Sequence, residues 1–132
     1  MISPERFREF VIPSFRKQIA GLDYTLFHMD GKEAVRHLEA LMELEGLDAL
    51  QWTPNAGMPD SGWEEWYPIY DKVLDTGKGL WISIWQGSVD DIIEKSRRIV
   101  KRCGSKGIYF HYPDLPNADV ERLYRAGMNN FR

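Results

Sequence analysis

Cysteine is nearly absent from this chain. Cys103 stands alone among 132 residues, which excludes an intrachain disulfide and any multi-cysteine metal site within one chain, and suits a reducing cytoplasm. Long apolar runs are absent too, and nothing approaches the roughly 18 consecutive apolar residues of a membrane span. There is no basic excess: the formal net charge is −3, so no electrostatic field points to nucleic acid or an anionic membrane. The opening residues, MISPERFREF, are charged and lack the apolar core of a signal peptide. No Gly-rich dinucleotide fingerprint follows the first strand-like segment, which leaves a nucleotide-binding Rossmann domain poorly supported. What remains is a soluble, cytoplasmic, globular chain whose length suits one domain with a real core.

Aromatic residues, by contrast, are plentiful. The chain holds five Trp, six Tyr and six Phe, and the tryptophans all lie between Trp52 and Trp85. Rings in such numbers either fill a core or wall a ligand cleft.

The chain reads as alternating helices and strands. Ser3-Pro4-Glu5 is a helix start, with Ser3 as N-cap and Pro4 at the first helical position. Phe7, Phe10, Val11, Phe15 and Ile19 recur at helical spacing, and Pro13 predicts a kink or break. Tyr24 to His28 is β-rich, and Asp30-Gly31 is a turn signal. Lys32 to Leu44 reads as an amphipathic helix, with His37 on its exposed side. Asp48 to Trp52 is a strand, Thr53 to Gly62 (TPNAGMPDSG) a loop, and Trp63 to Asp75 a helix. Leu80 to Trp85, LWISIW, is the strongest strand and reads as buried on both faces. Val89 to Cys103 is a helix capped by Ser88, Gly107 to Tyr112 a strand, and Ala118 to Ala126 a helix with Asn117 as a candidate N-cap. Four βα units in succession predict an α/β fold of parallel strands with right-handed crossovers, the equivalent of half a (β/α)8 TIM barrel.

Three segments carry a resemblance: SPERFREFVIPSFRKQIAGLDYTLFHMDG, HLEALMELEGLDALQWTPNAG and GKGLWISI. They resemble the C-terminal half of the uroporphyrinogen decarboxylase superfamily, nearest its corrinoid methyltransferase-like branch, over almost the whole chain. The resemblance implies a complete (β/α)8 barrel of which these strands are the fifth to eighth. It also implies decarboxylase-like or methyltransferase-like chemistry. The family's front half, with its arginine-rich substrate segment and catalytic aspartate, has no counterpart here, so the chain reads as incomplete as an enzyme or as a fragment. The methyltransferases use a zinc site formed by an H-x-C turn and a later cysteine. By resemblance His28 takes the histidine place, Asp30 the first cysteine place, and the later cysteine falls near Pro113, with His111 two residues away as a substitute.

Barrel chemistry sits at the C-terminal ends of the strands. The candidates there are His28 and Asp30, as an acid–base pair or as metal ligands, with Gln51, Trp52, Asn55, Trp85, Gln86, His111 and Asp114 as substrate-binding residues. Asp30 can equally be a turn residue before a helix, and Gln51 and Gln86 can satisfy buried backbone groups. Cys103 lies away from this end. Four parallel strands leave two free edges and one uncovered face, which predicts a homodimer or a separate front-half partner. The alternative function is a noncatalytic small-molecule-binding or interaction module.

Overall fold

The computed structural model describes residues 2–129 and 131. Its centre is one parallel sheet of four strands, β1 (Leu26–Asp30), β2 (Ala49–Thr53), β3 (Gly79–Ser83) and β4 (Ile108–His111), in the spatial order β1-β2-β3-β4. Helices alternate with the strands as expected. Strand order never reverses, so every crossover steps the same way and the helices share one face of the sheet. This is the winding of a barrel, not of a doubly wound sheet, which reverses at a switch point. Among the described residues no helix is long and apolar enough to cross a membrane.

Strand alternation divides the residues between two faces. Met29, Leu50, Trp52, Leu80, Ile82 and Ile84 point to the helices and are at most 1% exposed. Leu26, His28, Gln51, Trp81, Ser83, Tyr109 and His111 point the other way, as their register shows: His28 pairs with Gln51, Gln51 with Trp81, Trp81 with Tyr109, and Ser83 with His111. Among the described residues none forms a layer over this second face. The expectation that LWISIW is buried on both faces is therefore corrected. Its Leu and Ile side chains fill the core, whereas Trp81 is half-buried against Tyr109, ring centroids 4.7 Å apart, and Trp85 is exposed.

The N-terminal helix begins as read, with Ser3 accepting from the Arg6 N–H and Pro4 in the first turn. Pro13 neither breaks nor stops it. Residues Phe7–Val11 widen into a π turn, closed by the Ile12 N–H bonding to the Phe7 carbonyl, and Ile12–Ile19 continues as α-helix. The wider turn relieves the clash a proline ring makes with the carbonyl four residues back. The helix lies on the outer side of β1, where Phe15 meets Phe27 at 5.4 Å.

The first crossover helix departs from the amphipathic reading. Lys32–His37 is a 3-10 helix and only Leu38–Met42 is α-helical. Three residues per turn in place of 3.6 rotates each position by about 20° more, or about 100° over five residues. His37 is thereby turned inward. It is 8% exposed, not solvent-facing, and its ring stacks on Phe7 at 4.2 Å.

Burial, and next the Arg36 charge, hold the His37 imidazole below its ordinary value of 6.5. It therefore stays neutral in the folded protein while the unfolded chain takes up a proton. Stability supplied by the neutral ring is present above about pH 6.5 and is lost as pH falls toward the lowered folded value. The urea midpoint is expected to drop between pH 7.5 and 5.5, and to drop less in His37→Phe. Equal acid sensitivity in both proteins would refute the assignment.

The other helices are Glu64–Trp66 (3-10) running into Tyr67–Asp75, then Val89–Cys103, then Asn117–Met128. The Val89–Cys103 helix matches its expected limits. Its N-terminus closes with a capping box, since the Ser88 hydroxyl accepts from the Asp91 N–H and the Asp91 carboxylate accepts from the Ser88 N–H. The last helix starts at Asn117 itself, one position ahead of the expected Ala118, with Pro116 as the flanking residue in place of an Asn117 cap.

Candidate functional site

β1 ends at Asp30, two residues beyond the expected His28. The His-Met-Asp segment is thus strand, not turn. His28 and Asp30 share the uncovered face, and Met29 between them lies in the core. The turn follows at Gly31, whose φ of +83° only glycine adopts without strain, and a Cβ there would come within 2.9 Å of the Asn55 amide.

A cleft of about 450 Å³ opens on this face at the C-terminal ends of the strands. His28 and Gln51 supply its β1–β2 side, Thr53 and Ser83 its floor, and Trp85, His111 and Pro113 the far wall. Two hydrogen bonds hold its histidines through Nδ1. His28 Nδ1 lies 3.0 Å from Gln51 Oε1. That amide oxygen only accepts, so Nδ1 carries a hydrogen and donates it. On the other wall, Ser83 Oγ accepts from Trp81 Nε1 at 3.3 Å and lies 3.3 Å from His111 Nδ1. The hydroxyl has a second lone pair and a proton of its own, so it pairs with His111 Nδ1 as either acceptor or donor. The cleft thus presents two imidazoles, each held through Nδ1.

Of the expected site residues, His28, Gln51, Trp85 and His111 line the cleft. Asp30 stands exposed beyond His28 on the same face of β1. Asp114 is exposed just past the wall, where Pro113 makes the contact instead. Trp52 is a correction: it is 0% exposed and packs on Trp66 at 5.1 Å on the helix side. Asn55 and Gln86 are spent on groups outside the cleft. Asn55 Oδ1 accepts from the Lys32 N–H at 2.7 Å and its amide nitrogen donates to Glu33. Gln86 Oε1 accepts from the Asp60 N–H and its Nε2 donates to the Met58 carbonyl, both at 3.1 Å. Thr53, Ser83, Ile84 and Pro113 belong to the cleft but were not expected there. Ser83 was legible as the one polar residue of LWISIW.

The residue that shapes the cleft's rim lies beneath it. Asp60 is 0% exposed, in the middle of the TPNAGMPDSG loop. One carboxylate oxygen accepts from the Trp85 N–H at 2.8 Å and the Gln86 N–H at 2.6 Å, the other from the Gly62 N–H at 3.0 Å. Lys95, 5% exposed, reaches in from the Val89–Cys103 helix to both oxygens, at 3.1 and 3.2 Å, and to the Gln86 carbonyl at 2.7 Å. Trp63 covers the ammonium at 5.5 Å. Gly62 is needed here because a Cβ would fall 2.6 Å from the Lys95 side chain. This pair fixes the end of β3, and with it Trp85. Sequence carried one signal of it. Lys95 sits on the buried face of its helix with Val89, Ile92, Ser96 and Ile99, where an unpaired charge would be costly.

The zinc expectation fails the test of geometry. Ligand atoms about 2.0–2.3 Å from one zinc ion lie within about 4 Å of one another. His28 and His111 stand on opposite edge strands, three strand spacings or about 14 Å apart along the sheet. Among the described residues no three His, Cys, Asp or Glu side chains are grouped to hold a metal ion. Cys103 ends its helix at the opposite end from the cleft. Burial, and next the charge of Asp71, push its thiol above the ordinary value, which leaves it protonated and unreactive.

Fold and site together define a four-unit βα half-barrel with a two-histidine cleft at the C-terminal ends of its strands. Comparisons with protein-family models, with curated proteins and with solved structures return no match.

Proposed function

We propose that this chain is one half of a barrel-type small-molecule site, of the uroporphyrinogen decarboxylase-like or corrinoid methyltransferase-like kind that its sequence resembles, and that it becomes catalytically competent only when a second half covers the open face. The observation that supports this reading is the cleft itself. Two histidines, each held through Nδ1, and a tryptophan line it at the end of the sheet where (β/α)8 enzymes place their chemistry. In that reading His28 removes a proton, with Gln51 holding the ring, and His111 donates one, with Ser83 holding it. Trp85 offers a flat surface to the substrate. Among the described residues the lining has no Lys or Arg, so the favoured substrate is a small planar molecule and not a polyanion.

The noncatalytic alternative, a binding module, is favoured by the same lack of charge. A panel of aromatic and heteroaromatic monocarboxylic acids, screened by thermal shift and ligand-observed NMR, tests both readings. Binders are expected whose signal weakens at least tenfold in His28→Ala and in His111→Ala. Binders indifferent to both substitutions would overturn the site assignment. Turnover of a binder separates the enzyme from the module.

A further inference from the structure

The open face, its two free edges and an apolar groove on the outer layer all require cover, and one occupant fits all three. We propose that the second half is another copy of this chain, related by a two-fold axis along the strands, so that the two copies close an eight-stranded barrel with composite clefts. The proposal rests on the reading of the open face as a barrel interior.

The edges come first. All strands run the same way and the spatial order is sequential, so β1 and β4 are the two free edges. A two-fold axis parallel to the strands sets β4 of each copy beside β1 of the other, again parallel, in two identical seams. Each seam repeats the β3–β4 pairing already present and satisfies backbone groups that an edge strand leaves open. Eight strands are also the number at which a barrel interior is just filled by side chains. The open face carries what such an interior needs. Leu26 and Tyr109, 45% and 56% exposed in one copy, would be covered on closure, beneath the polar layer of the cleft.

The outer layer gives an independent match. Beside β4, the last helix leaves an apolar groove of about 370 Å³ between Phe110, Leu123, Tyr124 and Met128. Within the chain each crossover helix packs against the next, and this groove is where the following helix would lie. The N-terminal helix already rides on the outer side of β1 through Phe15 and Phe27, and it presents Phe10, 63% exposed. When β1 of one copy pairs with β4 of the other, that helix is carried over the groove. The chain thus holds one of each complementary surface, as a closed two-fold assembly demands.

Closure changes the site as well. In one copy the two histidines occupy opposite edges of the sheet. In the closed barrel, His28 stands one strand away from the partner's His111, and the pairing occurs twice. The two imidazoles then face one reaction space from two chains.

Light scattering on a size-exclusion column tests the proposal, with the wild-type chain at about 5 to 200 μM. Twice the chain mass of 15.4 kDa is expected. Tyr109→Lys buries a charge in the closed interior, and Phe10→Asp removes the outer contact. Both residues are exposed in one copy, so each variant should run as a monomer with an unchanged far-UV circular dichroism spectrum. A wild-type monomer throughout that range would overturn the proposal, as would a dimer that survives both substitutions. The acid panel keeps the two readings apart. A monomer whose binding still depends on His28 leaves the cleft and removes the second copy; a variant-sensitive dimer with no binder keeps the closure and removes the substrate class.

Discussion

Asp60→Ala is expected to destabilise the protein by about 3–5 kcal/mol, the usual consequence of stripping one partner from a buried ion pair. The cost arises on both sides of the loop. Lys95, 5% exposed, would be left as a buried ammonium with one carbonyl and an indole face for company. The N–H groups of Gly62, Trp85 and Gln86 would lose their acceptor at the same time, and each unsatisfied buried donor adds to the penalty. Lys95→Met should cost less. It removes the cation but leaves the Asp60 carboxylate with three backbone donors, which stabilise an anion in their own right. The double variant Asp60→Ala/Lys95→Met should recover part of the Asp60→Ala loss, because no charge is then stranded. Urea unfolding of the three variants measures these differences. An Asp60→Ala midpoint within about 1 kcal/mol of wild type would mean the network does not hold the loop.

Trp52→Ala should cost a comparable amount, about 3–5 kcal/mol, as large-to-small changes at fully buried aromatics do. The side chain is 0% exposed and tilts against Trp66 at 5.1 Å, so truncation opens a cavity between β2 and the second crossover helix. Trp52→Phe is expected to be far milder. The indole Nε1 is buried with no hydrogen-bond partner, and exchanging the indole for a phenyl ring removes that unsatisfied donor while keeping most of the apolar contact. At the cleft the pattern inverts. His28 and His111 are exposed, so alanine there should change stability by no more than about 0.5 kcal/mol while weakening the binding described above. Stability and binding measured on one set of variants therefore separate the core tryptophan from the rim histidines. A Trp52→Ala protein of wild-type stability with lost binding would restore Trp52 to the site.

The alternation of helices and strands was legible because it depends on local spacing. Ser88 with Asp91, Pro4 behind Ser3, and the apolar stripe from Val89 to Ile99 each announce themselves within one or two turns. The faces were less legible. Placing Trp52 at the site treated the strand end as a location and not as a side. Period-two alternation from Leu50 already assigns Trp52 to the core, but which side is core depends on where the helices lie. His37 was misplaced because the expected winding was α-helical. A 3-10 start is dictated by the chain leaving β1 through Gly31 under the Asn55 amide, a contact between residues 24 positions apart in sequence.

By itself, then, the sequence determined the order of elements, the parallel winding that follows from βα repetition, and the end of the sheet at which polar residues gather. These follow from turn chemistry, caps and hydrophobic period, all of which act over a few residues. Only the tertiary structure decided that Asp60 meets Lys95, that Gln86 and Asn55 accept from the Asp60 and Lys32 N–H groups, and that Gln51 and Ser83 hold His28 and His111 through Nδ1. Those outcomes depend on groups 23 to 35 positions apart, brought together by burial and by the need of each buried polar atom for a partner, and no local pattern encodes which partner that is.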